Sequence, residues 1–192
     1  MVNRSFIVLA LLSILFFSVN IRAQSFYEIC GKASADEIKN AIKKGADVNE
    51  SDISKKTPLM VLCSSNGSSE AVQLLLSSGA RVNASDKTGK TALMYASESN
   101  AHENVITSLI KAGADVNAKT KEGKTALMYA CEKNPNIKIT VQLVNSGADV
   151  NAKSNDGMTP LKYAKKNRSG GLITVVLVQA GANSHLPADL EI

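Results

Sequence analysis

Two stretches end like the phosphate-binding loop of nucleotide-binding proteins: Thr88-Gly89-Lys90-Thr91 and Glu122-Gly123-Lys124-Thr125. The full motif needs a further glycine five residues before the glycine of Gly-Lys-Thr, so that backbone N–H groups can wrap the phosphates. Those positions hold Ala84 and Ala118, so nucleotide binding is not expected. The other groups able to do chemistry are His102, His185, Cys30, Cys63 and Cys131. A metal needs three or four converging ligands. A hydrolytic nucleophile needs an adjacent base and a group to orient it. No Ser/His/Asp or Cys/His set can be assembled, and the two histidines lie too far apart in sequence units to share a site. The sequence therefore predicts no enzyme, no cofactor, no metal and no small-molecule ligand. It leaves a surplus of lysine and three regularly spaced tyrosines, Tyr95, Tyr129 and Tyr163.

The elements that would position these residues follow one period. Gly45-Ala-Asp-Val-Asn49 recurs as Gly79-Ala-Arg-Val-Asn83, Gly113-Ala-Asp-Val-Asn117 and Gly147-Ala-Asp-Val-Asn151, and a worn copy, Gly181-Ala-Asn-Ser-His185, closes the series. Thr57-Pro-Leu59, Thr91-Ala-Leu93, Thr125-Ala-Leu127 and Thr159-Pro-Leu161 keep the same step of 34 residues. Each unit reads as turn, helix, turn, helix. The threonine is an N-cap, whose hydroxyl accepts from an orphan N–H. Pro58 and Pro160 stand at the first helical position, where a missing N–H costs least. The second helix carries one apolar face, as in Val105, Ile106, Leu109 and Ile110, and stops at the glycine, which takes the left-handed conformation readily. Helices of about ten residues are marginal alone, so neighbouring units must supply the burial. Composition agrees. Tryptophan is absent, aromatics are 4 %, and Phe6, Phe16 and Phe17 all precede the repeats. The core must be thin and built from Ala, Leu, Val and Ile.

Thr-Pro-Leu, Gly-Ala-Asp-Val-Asn and the glycine two residues before threonine (Gly89, Gly123, Gly157) resemble the ankyrin repeat family, in particular small exported bacterial stacks. The family period is about 33, and 34 is the tetratricopeptide length, but no tetratricopeptide pattern contains this turn. The extra residue belongs in the link between the two helices. The resemblance implies an all-α repeat solenoid, an ankyrin stack of helix-turn-helix units joined by β-hairpin-like turns. Its segments are a capping repeat over 24–54, central repeats over 55–88, 89–122 and 123–156, a C-terminal repeat over 157–185 and a tail over 186–192. Three departures stand out. The family's histidine after Thr-Pro-Leu is Met60, Met94, Met128 and Lys162, which predicts weaker coupling between units. Its aspartate three before the turn glycine survives as Asp86 but becomes Thr120 and Ser154. The second unit has Lys55 where the turn glycine belongs.

Cys63 and Cys131 occupy a position where the family usually packs alanine, so they act as small apolar groups. They lie two units apart, roughly 20 Å at about 10 Å per packed layer, beyond the roughly 7 Å reach of a disulfide. Cys30 is near enough in sequence units to bridge Cys63; reduced, buried thiols are the reading preferred. The tyrosine series reads as packing at the edge of the core.

The N-terminus reads as an address. Arg4 precedes an uncharged run of 14 residues, Phe6–Val19, followed by Asn20-Ile21-Arg22-Ala23. A helix of that length spans about 21 Å, short of the roughly 30 Å hydrocarbon core. This order matches a signal peptide over 1–23, cleaved after Ala23, and predicts a periplasmic or secreted protein with no stable membrane insertion after cleavage. The alternative is an uncleaved anchor. Without Arg4 and Arg22 the net charge falls by two from +5, a mild excess of lysine.

The ends differ from the middle. Ser34–Lys44 has a polar outer face, as an N-terminal cap requires. Gly171–Ala180 is apolar almost all round, so either the tail Leu186–Ile192 or a partner must cover it. The resemblance implies recognition of a protein through turn tips and the concave helix ends. At the tips stand Ser85, Lys87, Thr88 and Lys90, then Lys119, Lys121, Glu122 and Lys124, then Lys153, Asn155, Asp156 and Met158; at the helix ends stand Glu98, Ser99, Glu132 and Lys133. Five lysines on the two middle tips form an expected basic strip for an acidic protein face. No aromatic residue interleaves the strip in sequence, so nucleic acid is not expected. The function predicted is a non-enzymatic, exported protein-binding module; the alternative is a secreted effector that engages host proteins.

Overall fold

The computed structural model describes residues 25–65, 67–99, 102–167 and 170–182. The leader expected over 1–23, the tail over 186–192 and His185 lie outside the described residues. Among the described residues there are ten helices and no strand: α1 Phe26–Cys30, α2 Ala35–Lys43, α3 Pro58–Ser64, α4 Ser69–Ser77, α5 Ala92–Glu98, α6 Glu103–Lys111, α7 Ala126–Lys133, α8 Ile137–Asn145, α9 Pro160–Lys166 and α10 Gly170–Gln179. They alternate between two layers. The inner layer stacks α1, α3, α5, α7 and α9; the outer layer stacks α2, α4, α6, α8 and α10. This is a helical repeat solenoid.

Local chemistry sets the helix starts. Thr57, Thr91, Thr125 and Thr159 each accept at 3.4 Å from the backbone N–H three residues on. At α5 the Met94 sulfur also accepts from the Thr91 N–H at 3.5 Å, so methionine does here part of what a polar side chain does in a capping box. α2 opens with a full capping box, Ser34 with Glu37. Leu59, Met60, Leu93, Met94, Leu127 and Met128 fill the space between inner helices, and Val72, Leu75, Ile106, Leu109, Ile139 and Leu143 fill that between outer ones. Each of these side chains is at most 1 % exposed, and burying one stabilises the fold by about 1.5–3 kcal/mol. Every helix is short; the packing between units holds the chain together.

Between units the chain makes a two-armed turn. One isolated antiparallel bridge, Ser85 to Thr91, forms in the second turn, a minimal version of the expected hairpin. The glycine that closes the turn has φ of 86° at Gly89, 76° at Gly123 and 74° at Gly157. Lys55, at the same place in the first turn, has φ 62°. The turn shape is kept there without its glycine, in a region that costs other residues about 1–2 kcal/mol. No helix among the described residues is long and apolar enough to cross a membrane.

Candidate protein-binding surface

The turns are stitched to each other along their tips. Lys87 N–H donates to the Ser54 carbonyl at 2.8 Å, Lys121 N–H to Thr88 at 2.8 Å, and Asn155 N–H to Glu122 at 2.9 Å. The Asn155 side chain adds a bond to the Lys121 carbonyl at 2.8 Å. Gly123 leaves room for this approach: a Cβ there would sit 2.6 Å from Asn155 Oδ1 and 2.9 Å from its nitrogen. Within each turn an oxygen gathers the N–H groups. Asp52 Oδ1 accepts from Ser54 and Lys56, Asp86 Oδ1 from Thr88 and Lys90, and Thr120 Oγ1 from Lys124. The replacement of aspartate by threonine in the later unit therefore keeps one of these bonds. Ser154 instead uses its hydroxyl on Asp156 and on the Met158 carbonyl.

A second ladder runs behind the tips. The asparagine of each Gly-Ala-Asp-Val-Asn motif clamps the next unit's turn. Asn83 donates to the Gly113 carbonyl at 2.9 Å and accepts from Asp115 N–H at 2.8 Å. Asn49 does the same to Gly79 and Arg81, and Asn117 to Gly147 and Asp149. The motif's last residue is thus a coupling device between units, and supplies a polar tie where the family's histidine is missing. Helix ends add others: Ser99 donates to Cys63 O at 2.8 Å, buried Asn134 to Ser97 O and Ser99 O, and Asn167 to Cys131 O.

The recess between tips and inner helices encloses about 390 Å³, and Asp86, Thr88, Lys90, Tyr95, Glu98, Thr120, Glu122, Lys124, Tyr129 and Lys133 line it. Its floor is a rail of alternating lysine and tyrosine. Lys56 lies 4.5 Å from the Tyr95 ring centre. Lys90 lies 4.4 Å from Tyr95 and 4.3 Å from Tyr129, and Lys124 lies 5.4 Å from Tyr129 and 4.8 Å from Tyr163. Each ammonium meets a ring face, an attraction of about 0.5–2 kcal/mol depending on desolvation. Carboxylates pair with two lysines of the rail: Glu98 with Lys90, and also with Lys133 beside it, and Glu132 with Lys124 at 3.0 Å.

This arrangement corrects the expected basic strip. Lys90, 9 % exposed, and half-buried Lys124 turn inward and are paired; they do not stand free at the tips. The expectation that no aromatic residue interleaves the lysines is also overturned. Tyr95, Tyr129 and Tyr163 do interleave them, with lysine already on their faces. Lys87, Lys119 and Lys121 remain exposed and make no ion pair with another described residue. Ser85, Thr88, Glu122, Lys153, Asn155 and Asp156 are exposed beside them on the rim, while Met158 is half-buried against the core. Sequence reading missed Ile53, 90 % exposed at the tip of the first turn. It also missed the rail, although Lys90–Glu98 and Lys124–Glu132 share a spacing of eight residues and recur at the repeat period.

Electrostatics follows the geometry. Burial opposes the charge of Asp86, but hydrogen bonds from Thr88, Tyr95 and the backbone outweigh it and hold the carboxyl below its usual range. Tyr95 is pushed well up, by burial first and then by its 2.7 Å bond to Asp86. Burial also opposes the charge of Glu98, and Lys133 and Lys90 more than compensate. The three cysteines are free and buried. Desolvation pushes each thiol up to about 12, with a smaller push from Glu50 at Cys30. No group of three or more potential metal ligands converges among the described residues.

The described residues form a one-dimensional stack with a polar recess and exposed lysines along its rim. The sequence model for ankyrin repeats (3 copies) matches residues 28–120 and 100–186, and this chain belongs to the ankyrin repeat family. A search of curated proteins finds no match. Ankyrin repeats generally mediate protein–protein interaction, and proteins built from them are typically non-enzymatic.

Proposed function

We propose that this chain is an exported adaptor that grips one protein partner between its turn tips and the concave ends of its inner helices. The observation that carries the reading is the division of charge across the recess. On the floor Lys90 and Lys124 are paired with Glu98 and Glu132, whereas Lys87, Lys119 and Lys121 on the rim have no carboxylate partner among the described residues. A floor already paired offers hydrogen bonds and ring edges for shape. An unpaired rim offers charge for orientation and association rate. The partner that fits presents a polar ridge flanked by carboxylates. The leader-like 1–23 supports export to the periplasm or beyond. A secreted effector that meets host proteins would use the same surface, and location separates the two.

The test begins with the full chain, tagged at the C-terminus, expressed with its own N-terminus in a Gram-negative host. Fractions are then probed for processing and for bound protein. Processed chain in the periplasm with a specific partner supports the adaptor; processed chain in the medium supports the effector. Retention of the unprocessed chain in the cytoplasm refutes export. Replacing Lys87, Lys119 and Lys121 by alanine should weaken the capture and flatten its salt dependence. Unchanged capture by this variant refutes the rim assignment.

A further inference from the structure

A register buried in the first described unit but more exposed in the last faces the following unit; the reverse pattern faces the preceding one. Phe26, Met60, Met94 and Met128 are buried, and Lys162 in the same register is exposed. Ile38, Val72, Ile106 and Thr140 are buried, and Thr174 is half-buried. Both registers face forward. Leu62, Ala96, Ala130 and Ala164 are buried, and Glu28 is exposed. Ala71, Val105, Ile139 and Ile173 are buried, and Glu37 is exposed. These two face back. The described ends therefore carry opposite charges at positions that are mainly apolar inside the stack. Lys165 joins Lys162 on the forward face: Cys63, Ser97 and Cys131 in its register are buried, each with a unit on either side. None of Lys162, Lys165, Glu28 and Glu37 makes an ion pair with another described residue.

The two faces also match in relief. On the forward face Val175 and Val178 are 51 % and 45 % exposed. Thr107, in the register of Val175, meets Gln142 of the next unit, so that register reaches across a unit boundary. The back face holds a hollow of about 560 Å³ between α1 and α2, with Ile29, Ala33 and Ala41 in it and Lys32, Glu37 and Lys44 around them. Lys32 has the register of buried Asn134, which donates to the Ser97 carbonyl of the preceding unit. The position matching Ser97 in the last described unit is Lys165, whose carbonyl lies at the C-terminal, electronegative end of α9.

We propose that copies of this chain associate end to end, with α9 and α10 of one copy on α1 and α2 of the next. Lys162 and Lys165 then meet Glu28, the one charged residue of α1, and Val175 and Val178 enter the hollow. A cap needs only polarity to meet water; opposite signs in registers that interlock are what a second copy requires. The two surfaces differ, so the contact is heterologous and builds open rows of copies unless its rotation closes a ring. It leaves the turn tips and recess free and repeats them along a longer concave side. Two helices about 15 Å long and about 10 Å apart offer roughly a few hundred Å², against about 800 Å² per partner in a standard interface. The association is therefore weak, and salt weakens it further.

Sedimentation equilibrium of the purified full chain tests this. The weight-average mass should at least double between about 10 µM and about 1 mM, the range of a small interface, and fall back in high salt. Lys162→Glu with Lys165→Glu, and separately Glu28→Lys, should each raise the concentration needed about tenfold or more. All three positions are exposed, so the fold is kept, and circular dichroism checks it. An equimolar mixture of the two variants should associate as the unaltered chain does, because each then meets an end of opposite charge. A single chain mass at every concentration overturns the proposal. So does association that ignores both variants, which would place the contact on another face. A mixture that stays monomeric overturns the pairing of Glu28 with the two lysines, and the proposal with it.

Discussion

Replacing Lys55 by glycine should make the protein more stable, although it deletes a side chain and a charge. Lys55 holds φ 62° in a turn whose other copies place Gly89, Gly123 and Gly157 at 86°, 76° and 74°. A residue with a Cβ loses about 1–2 kcal/mol in this region. Glycine gives back about 0.4–1 kcal/mol through the greater freedom of the unfolded chain. The side chain is exposed and makes no ion pair with another described residue, so little else changes. The net expectation is a gain of about 0.5–1 kcal/mol, or roughly 1–4 °C in midpoint for a chain of this size. Asparagine, which tolerates the left-handed region better than most residues, should fall between lysine and glycine. Urea unfolding followed by circular dichroism, with the three variants compared at equal slope, measures it. The reciprocal change, Gly123→Ala, should destabilise by about 2 kcal/mol or more, because its Cβ would also stand 2.6 Å from Asn155 Oδ1. A Lys55→Gly protein of lower stability than its parent would refute the reasoning. It would mean that the turn draws its shape from the lysine side chain.

Three further outcomes follow from the ladders and the core. Asn117→Ala removes bonds of 2.9 Å and 2.8 Å to the next unit; at about 1 kcal/mol net each it should cost about 2 kcal/mol in urea unfolding, and Asn117→Asp should keep only the bond from Asp149 N–H. Asp86 and Glu98 have carboxyl pKa values lowered by folding. The stability they add is therefore full above their unfolded values near ~4 and fades as pH falls through the lower folded values. The midpoint should drop between about pH 5 and pH 3, and Glu98→Gln should flatten part of that drop. The three thiols, buried and pushed up to about 12, should resist a disulfide reagent at pH near 8 in the folded chain and react together on unfolding. Fast labelling of Cys131 in the folded state would show that the space between inner helices opens locally.

Most of the architecture was legible because each signal is local and repeated. Thr57, Thr91, Thr125 and Thr159 announce helix starts, and Gly45, Gly79, Gly113, Gly147 and Gly181 announce helix stops, with φ between 86° and 92° in all five. The missing turn glycine at Lys55 was visible too, and the structure shows the chain accepting the strain. The recess was harder to read. Lys90 and Lys124 sit in the turn by sequence, yet their four-carbon stems carry the charge inward to tyrosines contributed by their own and the following unit. The contacts of Lys56 with Tyr95, Lys90 with Tyr129 and Lys124 with Tyr163 cross from one repeat to the next. The asparagine clamps were missed for the same reason: Asn83 looks like a turn residue, and only stacking reveals that its amide faces Gly113 and Asp115 of the next unit. Contacts made between copies of a motif are invisible inside one copy.

The central claim is that a protein partner is held on the tips and recess, and photocrosslinking in the cell tests it most directly. A photoreactive residue is placed in turn at Lys87, Lys121 and Lys133 on the concave side, and at Glu70 and Lys138 in the outer helices, all of them exposed. The account predicts one adduct of constant mass from the three concave positions and none from the outer two. Adducts from Glu70 and Lys138 alone would contradict it and move recognition to the outer helices.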